Sequence, residues 1–402
     1  MNNFKLTVCA AALGLGVAWA GTALADDAPA PSPMANPGMG ATLAANPHPG
    51  SFDAGPLGDI TVDGVFSGIA IFQSPDQFQS FDNTGPGPND GPVTKKNSWF
   101  DVSNAMVIVN KQSGPVQFYL QAGAYSFPTL GVSYTEAKNQ TSSPFGILPQ
   151  GFLKLVPNEH VSILVGALPT LIGAELGWTF QNMNIERGLL WNTEPLVSKG
   201  VQVNFASGPW TVSVAFTDGY YTNTYSSVSG LVSYAFSSND VLVFAAEGSA
   251  SHIRNAGSTA NGQVFNLIYT HTSGPLVIQP YLQVQTTQDI PGISVKGTLV
   301  AGAILAKYSF TPEISLAGRV EYESESGAND FIGFGTGSNA WSVTITPTYQ
   351  HGIFFARGEL SYTGIGSYDR GCGFISCRGV GFGILGDKSG EFRGVLESGF
   401  IF

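Results

Sequence analysis

The chain has 402 residues, 43% of them hydrophobic but only 11% charged, against roughly 25% in ordinary soluble domains, and its formal net charge is −11. An acidic balance excludes the basic footprint that phosphate backbones require, so no nucleic-acid partner is expected. Past the first 25 residues no apolar run approaches the ~18–20 residues of a membrane helix, which excludes a helical membrane protein.

In chain order, Lys5, the apolar stretch 6–24 and the small residues Ala23-Leu24-Ala25 before Asp26 read as a secretory signal peptide over residues 1–25. Residues 26–58 are rich in Pro, Ala and Gly without apolar periodicity, and are expected to form a flexible periplasmic arm. From residue 59 to 402 the chain breaks into strand-sized segments. Their connections alternate between short turn-forming tetrads or pentads, at 111–115, 157–160, 206–209, 237–240, 272–275, 310–313 and 349–352, and long loops. The long loops lie near 74–97, 128–149, 169–195, 219–225, 250–260, 288–294, 325–338 and 364–389. Seven short connections alternating with eight long ones predict an all-β transmembrane antiparallel barrel of about 16 strands. Its short turns lie on the periplasmic side and its long loops outside the cell.

Alternation sets the faces. Trp210, Val212, Val214 and Phe216 are assigned to lipid, and Thr211, Ser213 and Thr217 to the interior. Ile278, Leu282 and Val284 oppose Gln279, Tyr281, Gln283 and Gln285, and Val343 and Ile345 oppose Ser342, Thr344 and Thr346. The inward sets are polar, and sixteen strands leave a lumen too wide for wall side chains to fill, so a water-filled channel is expected.

Charge falls on the same inner wall: Arg319, Glu321 and Glu323, then Arg357 and Glu359, then Arg393 and Glu397. On the lipid face each would cost about 2–4 kcal/mol at mid-depth, so parity and cost agree on the lumen. Two roles are open to these pore-lining charges: neutralising one another to pin strand register, or setting a field that biases ion passage. The loop 169–195 carries Glu175, Glu186, Arg187 and Glu194 among Leu171, Ile172, Trp178, Phe180, Leu189, Leu190 and Trp191. Such apolar content is expected either to fold into the barrel mouth as a constriction or to pack on neighbouring loops or another protomer. In the first case the carboxylates favour cations and Arg187 tempers the preference.

In the last long loop, Cys372 and Cys377 are expected to form a disulfide in an oxidising compartment, with no metal site. Arg370 and Arg378 beside them offer either a lipopolysaccharide contact or a solvated tip. The final strand places Phe392, Leu396, Phe400 and Phe402 on one face, with Arg393 and Glu397 on the other. Its aromatic ending, with Phe400 and Phe402, resembles the signal by which outer-membrane barrels engage the barrel-assembly machinery.

Three segments, 318–322, 341–349 and 356–360, resemble the R-x-E-Y, T-x-T-P-x-Y and R-x-E series of the putative beta-barrel porin-2 family. The segment 165–175 is similar to that family's G-x-x-x-T-P-I-G-x-E stretch, with Pro169 and Thr170 in inverted order, and 187–191, 194–195 and 199–201 continue the likeness. The resemblance implies an outer-membrane channel without specifying a solute. No Walker loop, metal-ligand spacing or Ser/His pair in the lumen supports catalysis, so neither enzyme activity nor a cofactor is expected. The expected function is passive diffusion of small hydrophilic solutes or ions through the bacterial outer membrane, in contact with its lipid and lipopolysaccharide. The alternative is a closed barrel with a structural or surface-adhesion role. A homotrimer is the assembly that many barrels of this size adopt.

Overall fold

The computed structural model describes residues 43–79, 94–142, 145–254, 256–374 and 377–402. The expected signal peptide and the first part of the expected arm lie outside them. A short β1 (Gly50–Asp53) precedes the barrel. Its first strands are β2 (Asp59–Gln79), β3 (Thr94–Lys111), β4 (Val116–Tyr125) and β5 (Gln150–Asn158). Next come β6 (Val161–Pro169), β7 (Val197–Ser207), β8 (Trp210–Thr217) and β9 (Ser227–Ala235). The third quarter holds β10 (Asp240–Ser249), β11 (Gln263–Ser273), β12 (Leu276–Thr287) and β13 (Gly297–Ser309). After β14 (Ile314–Gly327), β15 (Asn339–His351) and β16 (Phe354–Ile365), a loop hairpin of β17 (Gly371–Phe374) and β18 (Cys377–Arg378) intervenes before β19 (Gly390–Ile401).

Each barrel strand pairs antiparallel with its sequence neighbours, and β19 closes on β2 with Arg393 opposite Gln73 and Phe400 opposite Phe66. Sixteen strands therefore form a closed antiparallel barrel, with β1 and the β17–β18 hairpin outside the ring. The chain end is part of the seam: the Phe402 amide donates to the Gly64 carbonyl at 2.9 Å, and the Gly64 amide donates back at 2.5 Å. All seven short connections fall at one end of the barrel and the long ones at the other.

The outer face is apolar and ringed by aromatic pairs, among them Trp210–Tyr234, Trp341–Tyr362 and Phe354–Phe400, with ring centroids 4.5–5.6 Å apart. Ser213, Thr217, Gln279, Gln283, Gln285, Ser342, Thr344 and Thr346 point inward and are buried, as alternation requires. The inner wall is not uniformly polar, however. Val65, Ile69, Ile71, Met106, Ile108, Leu231, Val243, Ile268 and Leu305 also face inward and are buried. An apolar inner wall is stable only if something other than water covers it.

The segment read as a flexible arm differs as well, from residue 43 onward. Leu43 is buried with Val65, Met106, Ile108, Tyr119, Phe355 and Ile401 at the short-turn end. Ala44 exchanges backbone hydrogen bonds with the Gln350 side chain at 2.7 and 2.9 Å, and β1 pairs on the start of β2. One well-placed leucine and a short ladder hold residues that composition alone marks as a linker.

Replacing Ile345 on the lipid face by Arg is expected to cost about 2–4 kcal/mol of folding into liposomes, whereas Thr344→Ser on the adjacent inward position stays within about 0.5 kcal/mol. Urea titration of tryptophan fluorescence in lipid vesicles measures both.

Candidate functional site

The connection between β6 and β7 folds into the barrel rather than outward. Its apolar side chains enter each of the four buried clusters of the interior. Leu171, Ile172, Met183 and Leu190 pack on the β8–β14 wall, Trp178 and Phe180 on β2–β6, Ile185 beside Ile69 and Ile71, and Leu189 beside Leu130 and Leu299. At ~25 cal/mol per Å2 of apolar surface removed from water, these side chains supply the cover that the apolar inner wall needs. Asn182 fixes the loop locally: its side chain accepts from the Leu176 amide and donates to the Leu176 and Trp178 carbonyls. Gly173 holds a φ of +90°, which L side chains rarely adopt, and a Cβ at Gly188 would push the Glu321 carboxylate aside.

The charged wall residues grip this loop. Arg319 donates to Glu175 at 2.6 Å and to the Glu186 carbonyl at 2.8 Å, while its Nε meets Glu321 at 3.1 Å. Arg357 donates to the carbonyls of Thr179, Asn182 and Met183 at 2.8–3.0 Å. Glu359 accepts from the amides of Ile185 and Glu186 at 2.6 and 2.9 Å, and Glu397 accepts from the Thr179 hydroxyl at 2.5 Å. Arg393 pairs with Glu186 at 3.0 Å and Glu391 at 2.8 Å, and reaches the carbonyls of Thr129 and Val132 on a second inward loop. That second loop also bonds Arg187 through Pro128 and Leu130.

The seven wall charges expected to line open water are therefore each 5% exposed or less, beneath the loop. Their partners lie both on the wall and on the loop. Of the expected same-strand pairings only Arg319–Glu321 is hydrogen-bonded, and Arg357 and Glu397 approach only to 3.6 Å. Loop backbone amides and carbonyls are the better partners because they face the wall from a short distance and are otherwise unpaired in a buried irregular segment. Glu323 is buried with its Oε2 unpartnered, and the Tyr281 hydroxyl donates to Glu194. Arg187 is fully buried, lies 5.9 and 5.8 Å from the Phe127 and Trp191 ring centres, and donates to the Ile185 carbonyl at 3.3 Å.

Two residues of this network escape the sequence reading although parity reaches both. Glu391 shares the inward face of Arg393 and Glu397. Glu325 continues the row of Glu321 and Glu323, and accepts from the amides of Phe331 and Ile332 in the β14–β15 loop. The hydroxyl of Thr179 and the carbonyls that meet arginine carry no sequence signal.

Cys372 and Cys377, expected to pair, stand side by side as exposed thiols on the β17–β18 hairpin. The two sulfurs meet as a hydrogen-bonded pair, and that bond, ahead of the small effect of burial, raises the Cys377 thiol above its ordinary value. Of the basic tip, Arg378 turns inward to the carbonyls of Ile384 and Gly383, and Arg370 stands 5.2 Å from the Tyr368 ring centre. Phe400 and Phe402 are both outward and about half exposed.

A closed sixteen-stranded barrel with an aromatic outer band and a long loop folded through its interior defines an outer-membrane porin architecture. Solved structures share the fold. The anion-selective porin from Comamonas acidovorans is 11% identical, with a TM-score of 0.55 over 85% of this chain and 99% of that one. The outer-membrane channel DcaP of Acinetobacter baumannii is 10% identical, with a TM-score of 0.54 over 86% and 97%. The trimer form of OmpT from Vibrio cholerae is also 10% identical, with a TM-score of 0.54 over 85% and 99%. At these identities the likeness is one of fold alone. The family model of putative beta-barrel porin-2, OmpL-like proteins matches residues 59–402, and the chain belongs to that family of outer-membrane porins. No curated protein matches the sequence.

Glu359→Ala removes the acceptor of two buried loop amides, each worth about 1–3 kcal/mol when left unpaired. Hydrogen exchange at Ile185 and Glu186 is expected to accelerate by at least about tenfold, with strand amides of β16 unchanged. Arg393→Met leaves Glu186 buried without its cation, and is expected to open residues 175–190 to limited proteolysis at a cost of about 3–5 kcal/mol.

Proposed function

We propose that this porin is a constricted channel for passive diffusion of small hydrophilic solutes or ions, biased toward cations. The observation that carries the proposal is the loop 170–196, clamped across the lumen by the Arg and Glu rows of the wall. Among the described residues, nine carboxylates (Glu175, Glu186, Glu194, Glu321, Glu323, Glu325, Glu359, Glu391, Glu397) and four guanidiniums (Arg187, Arg319, Arg357, Arg393) stand on the loop or on the wall. Glu175 and Glu186 are matched by Arg319 and Arg393, so the bias rests on the surplus, chiefly Glu194 and Glu323. A low-dielectric constriction with unmatched negative charge attracts cations and repels anions. By analogy with the trimer form of the OmpT relative, the assembly is a homotrimer, and exposed Phe400 and Phe402 serve engagement of the assembly machinery.

One observation favours a second reading, a closed barrel with a structural or surface role: the loop packs on both sides of the interior and leaves the wall charges dry. Planar-bilayer recording of the purified protein separates the two. Discrete open-channel steps with a cation-selective reversal potential are expected in a potassium chloride gradient. A membrane that stays silent at high voltage would sink the channel. Glu323→Gln is expected to lower the cation-to-anion permeability ratio by about twofold, read from the reversal potential, and an unchanged ratio would remove Glu323 from the selectivity mechanism.

A further inference from the structure

The segment just before the barrel does not trail away from it. From β1, which pairs with Asp59–Val62 of β2, the chain runs back through a turn at 46–48 into the short-turn mouth. There Leu43 is 2% exposed. It shares an apolar cluster with Val65, Met106, Ile108, Tyr119, Phe355 and Ile401, which are inward-facing residues of β2, β3, β4, β16 and β19. Gln350 on β15 completes the seat, accepting from the Ala44 amide at 2.7 Å and donating to the Ala44 carbonyl at 2.9 Å. The seat is thus built from six adjacent strands of the ring. Trp178 and Phe180 of the constriction loop enter the same cluster, so this sector of the interior is filled from both ends.

The two fillings are held very differently. Arg319, Arg357, Arg393 and Glu359 grip the loop through buried charged hydrogen bonds, which are roughly twice as strong as neutral ones. The arm has one buried leucine, two neutral bonds to Gln350, and a four-residue ladder whose residues are all exposed. Residues 43–49 contain no Asp, Glu, Lys or Arg, so no such charge of their own anchors them. Segments that open without disturbing the rest of a structure come from its weakly held parts. Undocking the arm would leave every strand pairing of the sixteen-stranded ring in place. Burial of Leu43 and of the wall beneath it keeps the docked form the ground state.

We propose that residues 43–49 are a displaceable gate at the periplasmic mouth: docked through Leu43 they narrow the passage below the constriction loop, and undocked they widen it. The action on flow rests on the channel reading, whereas the docking does not.

Docking is tested on the full chain in lipid nanodiscs, with Cys9, Cys372 and Cys377 replaced by Ser and a reporter introduced as Ile108→Cys. A membrane-impermeant maleimide is expected to label this cysteine at least about tenfold faster after Leu43→Asp than in the parent. Ala44→Pro, which removes the amide donor to Gln350, is a second variant with the same expected acceleration. A reporter at Ile268→Cys, beneath the constriction loop and away from the arm, is expected to label at an unchanged rate. The heat-modifiable mobility of the folded barrel is expected to stay as in the parent. Planar-bilayer recording then reads the gate, with unit conductance expected to rise at least about twofold in each variant. Unchanged labelling of Ile108→Cys in both variants, or equal acceleration at Ile268→Cys, would overturn the docking. Faster labelling with unchanged conductance would overturn the gate. Steps in the variants from a silent parent support it. Silence of parent and variants alike defeats the channel and the gate together, whereas equal steps in all three defeat the gate and leave the channel standing.

Discussion

Everything inside this barrel depends on how buried charge is satisfied. Arg319, Arg357, Arg393, Glu359 and Glu397 sit on strands that must present alternate faces to lipid and lumen, and the lumen face is the only place they are tolerated. Once a loop covers them, water no longer solvates them, and an unpaired buried charge is strongly destabilising. The loop resolves the conflict with its own backbone. Its carbonyls at Thr179, Asn182, Met183 and Glu186 accept hydrogen bonds from Arg357 and Arg319, and its amides at Ile185 and Glu186 donate to Glu359. An irregular segment with no ladder of its own thereby acquires partners, and a charged wall acquires counter-charges. Neither would be stable in this place alone.

The apolar half of the same arrangement follows from area rather than direction. Inward residues such as Met106, Ile108, Leu231 and Ile268 would be wetted in an open pore, and Leu171, Ile172, Trp178 and Phe180 would be wetted on an outside loop. Joining the two sets removes both from water. Direction then comes from the hydrogen bonds, which a greasy contact lacks. Together they make the loop a fixed part of the barrel.

Much of this was legible from residue patterns. The seven short connections and eight long ones mark the sixteen strands, because turn chemistry at 206–209 or 272–275 is local and needs no tertiary partner. Parity places Arg319 and Arg393 inside because a strand has only two faces. The partners of those residues were not legible by the same means: a main-chain carbonyl at Asn182 has no residue-type signature, and it lies 175 positions from the arginine it binds. Extrapolating from the polar strands β8, β12 and β15 to the whole wall overlooked the apolar inward positions of β2 and β3. An inward valine reads the same as an outward one until the register is known.

The sequence by itself determined the class of architecture, the sidedness of the strands, the position of the charged rows and the presence of one apolar-rich loop in the middle of a channel-like chain. These are properties of period and composition, carried by neighbours within a few residues. Only the tertiary structure decided that the loop enters the barrel, that its backbone is what the charges hold, and that Leu43 docks at the short-turn end. Each of these outcomes joins residues far apart in the chain through burial, and burial is fixed by closure of the ring between β19 and β2, which no local pattern encodes.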